Sequence, residues 1–262
     1  MASDMEYGHH HFAGHAQGLI RLKLWHASTL AEHGELPFED AIRQRTGLFH
    51  LTTFAGAREL DIEEDRQAWA EMIERLNTTR EESADIDTFE HVGLMLLWPH
   101  AEPMVDVSLA RFEEFCDTAH GPFKFEVANY YADDAAPEHV TLHVRNCYRP
   151  DSLFEHLPHV REALVAVIDE AAEVKPGVEW IQCGSWLNSL PPFAHLFPPG
   201  WIETAVPGKP GGHMGWWGQF QNRLGGFHEA NAHRFRATGE FPYRHLLCHC
   251  PIEELREHLQ EE

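Results

Sequence analysis

The chain predicts an α+β fold, with a helical N-terminal half packed on a C-terminal mixed β-sheet that contains a strand, crossover helix and strand. Three observations carry that prediction. Apolar residues recur at helical spacing up to about residue 120, the spacing changes to every second residue between 123 and 146, and a long helical stretch then separates the second alternating run from a third. The division falls at residues 1–121 for the helical domain and 122–262 for the mixed one. Hydrophobic residues make up 43% of the 262 and charged residues 24%, which is the composition of a folded globular chain.

The elements follow in order. Residues 17–34 read as a helix that ends on Gly34. Residues 37–54 read as a second, with Pro37 in its first turn, Glu39 and Asp40 where the helix dipole favours anions, and a stripe of Phe38, Ile42, Arg45 and Phe49. The helix 61–79 opens on a capping box of Asp61 with Glu64 and presents Trp69, Met72, Ile73 and Leu76 on one face. A second capping box, Asp87 with Glu90, starts a helix expected to stop before Pro99, and 108–120 aligns Leu109, Phe112 and Cys116. Residues 123–131 and 139–146 alternate as strands, with a turn between them. A helix over 151–173 leads to a third strand at 178–186. A short strand is expected near Met214–Gln221, and helices over 229–238 and 252–260.

Charge and cysteine usage narrow the function. Forty-two acidic residues against 20 Lys and Arg give a net charge of -22, so the mean field repels phosphate backbones and anionic lipid, and nucleic acid is excluded as a partner. Five cysteines without a CxxC pair read as free thiols in a reducing, cytoplasmic setting. No basic-then-apolar leader stands at the start, and the longest apolar run, residues 92–98, is far below the ~18 residues that span a bilayer, so no membrane role is expected.

The chemistry sits in four places. On the second strand Val140, Leu142 and Val144 alternate with His139, Thr141, His143 and Arg145, and Glu126 and Gln182 share the polar side from the neighbouring strands. That face is either a solvated sheet surface or the floor of a cleft in which His143 is a general base, Glu126 orients it and Arg145 holds an anionic group of a small-molecule substrate. The corner at 182–201 offers Ser185 as a donor, Trp186 as a wall and Asn188 as an amide, with a structural corner as the alternative; Cys183 reads as a buried thiol. The glycine-rich stretch 208–226 carries Trp217 and Gln219 toward one side of its expected strand. Paired imidazoles four residues apart, His11 with His15 and His245 with His249, are candidate ligands for iron, zinc or copper.

The order of FKFEVANYYADD, VTLHVRN, a long helix and VEWIQCGSWLNSLPPFAHLFPP resembles acyltransferase-like bacterial proteins related to the GNAT superfamily of N-acetyltransferases, over about residues 122–200. The resemblance sets Leu142, His143 and Val144 on the strand segment and Cys183, Ser185, Trp186 and Leu187 on the corner of that family. It implies acyl transfer from acyl-CoA or another acyl thioester to an amine or hydroxyl, with Ser185 and backbone amides stabilising the oxyanion. The pyrophosphate loop of the superfamily finds its nearest counterpart in Arg223, Gly225 and Gly226, with His228 where a small residue is the rule. A histidine-ligated metalloenzyme and a non-enzymatic ligand-binding or assembly module are the rival expectations.

Overall fold

A computed structural model describes residues 2–55, 63–127 and 139–261. The fold is α+β with a helical N-terminal half. By internal contact the chain forms two units, residues 1–111 with 210–242 and residues 112–209 with 243–262. Residues 210–242, which lie in sequence between the fourth and fifth strands of the sheet, therefore pack with the helices of the first half.

The first unit is built on α1 (Ala2–Glu32), α2 (Glu63–Glu82) and α3 (Ile86–Ala101), with α4 (Pro103–Thr118) passing out of it between Arg111 and Phe112. Helix α1 presents two apolar stripes. Ile20, Leu24 and Ala27 bury against Trp69, Ile73, Leu76 and Phe89, while Leu19 and Leu22 bury against Trp217, Phe220 and Phe235. The helix stops where Gly34, at φ 71°, takes the left-handed conformation open to glycine.

Several boundaries differ from those read in the sequence. Helix α3 is capped by Asp85, whose Oδ1 accepts from the Thr88 backbone N–H at 2.7 Å, and this bond lowers the Asp85 pKa. Asp87 is thus inside the first turn, and Glu90 does not reach back to a cap. It is buried instead and receives Arg236 Nη1 and Nη2 at 2.5 and 2.8 Å. Helix α3 also runs through Pro99, which gives up a single backbone bond, that to the Met95 carbonyl, in the last turn. The box of Asp61 with Glu64 lies outside the described residues. The helix expected at 37–54 is broken into an α turn (Phe38–Ala41), a π-helical turn (Ile42–Thr46) and 3₁₀ turns at Leu48–Leu51 and Thr53–Ala55. The break is Gly47, at φ 60°, whose backbone meets Gly212 so closely that a Cβ there would stand 2.2 Å from the Gly212 carbonyl oxygen.

The strand expected at 214–221 is instead a helical turn (Met214–Trp217) and a 3₁₀ turn (Gly218–Phe220). The His213 carbonyl accepts from the Trp216 and Trp217 N–H groups, so both indoles turn inward and both are buried. Helix α6 (Glu229–Thr238) has the predicted bounds.

The second unit holds a five-stranded sheet of order β1-β2-β3-β5-β4, from β1 (Phe123–Val127), β2 (His139–Val144), β3 (Trp180–Ser185), β4 (Val206–Pro207) and β5 (Leu246–Pro251). Strands β2 and β3 are parallel and joined by α5 (Leu157–Val174), the predicted crossover, while the other pairs are antiparallel. One face buries Val140, Leu142, Ile181, Cys183, Cys248 and Cys250 under α5 and α7 (Ile252–Glu261). Strand β5 is absent from the sequence reading, where HLLCHC stands as a ligand cluster. Cys116 and Cys147 form a disulfide with Cα atoms 5.5 Å apart, which corrects the expectation of five free thiols. Their separation of 31 residues gave no sign of pairing. No helix among the described residues is long and apolar enough to cross a membrane.

Candidate functional site

The register brings the predicted polar side chains onto one face of the sheet. Glu126 lies opposite Thr141, Thr141 opposite Gln182, and Gln182 opposite His249, giving a polar row across four strands. Gln182 Nε2 donates to Thr141 Oγ1 at 3.0 Å, and His143 Nε2 stands 3.2 Å from Glu126 Oε2. The imidazole and carboxylate are therefore paired as expected. Their side chains are 48% and 61% exposed, so the pair stands in solvent rather than under a roof.

Arg145 belongs to the same edge of this face but leans on an aromatic ring. Its guanidinium lies 5.0 Å from the centre of Phe115, and Lys124 lies 5.2 Å from the same ring. Arg149 covers Phe112 at 4.1 Å, and burial, followed by the charge of Arg145, brings its pKa down to about 10. The three cations wrap the end of α4 that the disulfide ties to the loop after β2.

At the corner the polar groups are consumed by the fold. Ser185 Oγ accepts from the Leu187 N–H at 3.2 Å and starts the turn Trp186–Ser189. Asn188 Nδ2 donates to the carbonyls of Cys183 and Leu246 at 2.8 Å each, and its Oδ1 accepts from Trp201 Nε1 at 3.0 Å. Trp186 stacks on Tyr243. Gly184 leaves room for the His245 ring, 3.3 Å from where a Cβ would be. Burial pushes the thiols of Cys183, Cys248 and Cys250 up to about 12, far from the thiolate a nucleophile needs.

Beside this corner opens a cleft of about 720 Å3, the feature that the sequence did not signal beyond its run of prolines. Phe197, Pro198, Ile202 and Leu246 form its apolar wall, and His195 and His258 bring imidazoles to it. His258 Nε2 donates to the His195 carbonyl at 3.2 Å, which leaves its Nδ1 as an acceptor.

The remaining candidates lie apart from the sheet face. Trp217 is wholly buried, and its Nε1 donates to the carbonyls of Arg45 and Gly211 at 3.2 and 3.0 Å. Gln219 is buried and donates to the Trp216 carbonyl. In the loop carrying Arg223, Gly225 and Gly226, Asn222 Oδ1 accepts from the Leu224 and Gly226 N–H groups and the Asn222 carbonyl from Gly225, so these donors serve an internal turn. His11 and His15 face that same turn, with His15 Nδ1 3.5 Å from Gln221 Nε2. His249 lies on β5 with His245 just before the strand, and four residues of extended chain span about 13 Å, so the two do not converge as on a helix. His249 instead neighbours Trp180 and His139, at ring separations of 5.6 and 6.5 Å. Among the described residues no three His, Cys, Asp or Glu side chains gather to hold a metal ion. No family model, curated protein or solved structure matches this chain.

Proposed function

We propose that this protein handles a small, largely apolar molecule, which the second unit binds in the cleft beside the 182–201 corner. The observation that carries the reading is the cleft itself. Its volume of about 720 Å3 falls within the roughly 300–1,000 Å3 typical of small-molecule sites, and its make-up, apolar walls with two imidazoles, is the usual one for such a site. Covering roughly 200 Å2 of ligand surface with the apolar wall contributes about 5 kcal/mol of gross affinity. His195 and His258 supply the polar contacts that orient the bound molecule.

Ile202, 42% exposed at the cleft, is the residue to change. With an environment-sensitive apolar dye as probe, the unaltered protein should bind saturably, and Ile202→Glu should weaken binding at least about tenfold without lowering the melting temperature. Equal dye affinity in the two proteins ends the proposal.

The second reading, acyl transfer, is favoured by the pairing of His143 with Glu126. His143 takes the proton of an amine or hydroxyl acceptor through Nδ1 while Glu126 holds Nε2, the acceptor attacks the thioester carbonyl, and the leaving thiolate recovers the proton. Release of thiol from acetyl-CoA, measured against a panel of amines, should fall at least about a hundredfold in His143→Ala. Turnover that survives this change removes the role.

A further inference from the structure

We infer that the occupant of the cleft in the second unit is an apolar amine, held as its ammonium ion. The inference rests on the reading of that cleft as a small-molecule site and names the class of molecule it takes.

The polar groups that border the cleft have spent most of their hydrogens inside the protein. Both amide hydrogens of Asn188 go to the carbonyls of Cys183 and Leu246, and its Oδ1 is taken by Trp201 Nε1. Ser189 Oγ donates to the Arg244 carbonyl at 2.7 Å, which leaves that oxygen with lone pairs only. His258 donates from Nε2 to the His195 carbonyl, so its Nδ1 also presents a lone pair. The neutral His195 ring adds one acceptor nitrogen and one N–H. Acceptors thus outnumber donors at the border. A carboxylate occupant brings acceptors alone and would set lone pair against lone pair, whereas an ammonium brings three donors and no acceptor.

Charge favours the same class. No Lys or Arg is among the residues that line the cleft, and a carboxylate stands at its rim. Glu254 Oε1 lies 3.4 Å from where a Cβ on Gly200 would be, and Gly200 sits in the chain between the lining residues Pro199 and Ile202. On α7, Glu254 precedes His258 by four residues, so the two share one face of the helix. Arg256 of the same helix is engaged elsewhere, by Asp169 at 2.9 Å and Glu253 at 3.8 Å. Among the described residues Glu254 therefore has no cationic partner. The net charge of -22 adds a field that draws cations toward the protein. Phe197, Pro198, Ile202 and Leu246 take the hydrocarbon part of the molecule, from which a wholly polar cation would gain nothing.

In the test the intact protein is loaded with the apolar dye, and octylamine, octan-1-ol and octanoate, which share one chain length, are each titrated against it at neutral pH. Octylamine should displace the dye at a concentration at least about tenfold below that of octan-1-ol, and octanoate should be the weakest of the three. Glu254→Gln and His258→Leu should each reduce the ratio of octylamine to octan-1-ol affinity about threefold. The ratio cancels any general damage to the cleft, which would weaken both ligands alike. Octylamine no better than octan-1-ol, or octanoate the best of the three, with the dye still bound saturably, overturns the amine and leaves the small-molecule site standing. A ratio that neither substitution alters overturns it too. Failure of the dye to bind removes the site and this inference together.

Discussion

Asn188 in the second unit and Lys23 in the first are both shut away from solvent, at 2% and 1% exposure, yet the fold treats them in opposite ways. Asn188 has three hydrogen bonds, two given and one received, and ties the turn after β3 to β5 and to Trp201. Lys23 has the face of an indole and, among the described residues, no hydrogen bond. The contrast teaches that burial alone does not say what a polar group contributes. A buried polar group that is fully partnered holds the chain together, whereas one without hydrogen-bond partners costs stability.

The sharpest way to break the comparison is Asn188→Ala, which strands two carbonyls and one indole N–H. It should cost about 4–5 kcal/mol in urea unfolding, and a cost below about 1 kcal/mol would show that the network is dispensable. Lys23→Met runs the other way and should stabilise the protein at pH 7 by up to about 4 kcal/mol. The sign follows from the lowered pKa. Between about 7 and 10.5 the unfolded chain binds a proton that the folded one does not, so this site's contribution to stability falls as pH drops through that window and is constant below it. Unfolding measured from pH 7 to 10 should lose that slope in the variant. Replacing both Cys116 and Cys147 by serine opens a loop of 31 residues and should cost about 3–4 kcal/mol, read as a lower urea midpoint. The smallest effect belongs to Glu126→Gln, which breaks a solvent-exposed pair and should alter stability by under about 1 kcal/mol. If acyl transfer is the activity, that variant should still lower turnover.

Periodicity made much of the fold legible. The alternation of Val140 and Leu142 with Thr141 and His143 gave the strand and the face of each side chain, and the crossover helix followed from the order of elements. Strand β5 was illegible because its inward residues, Cys248 and Cys250, are small and its outward ones include His249, so the stretch looks like a ligand cluster. The 38–55 segment misled because a helical stripe says nothing of Gly47, whose conformation is imposed by Gly212, far away in sequence. Among the site residues, the pairing of His143 with Glu126 could be read from strand alternation. The cleft could not, since Phe197, Leu246 and His258 meet only in three dimensions. Nor did RLKLW disclose that Lys23 is enclosed, because the ring that encloses it comes from residue 217.

Each unit is assembled from two separate stretches of chain, and this has a bearing on synthesis. As the polypeptide leaves the ribosome, α1 emerges long before Trp217, Phe220 and Phe235, which cover one of its apolar stripes. That stripe must wait uncovered through the making of nearly the whole sheet. A nascent chain halted before residue 210 should therefore be the form most dependent on chaperones.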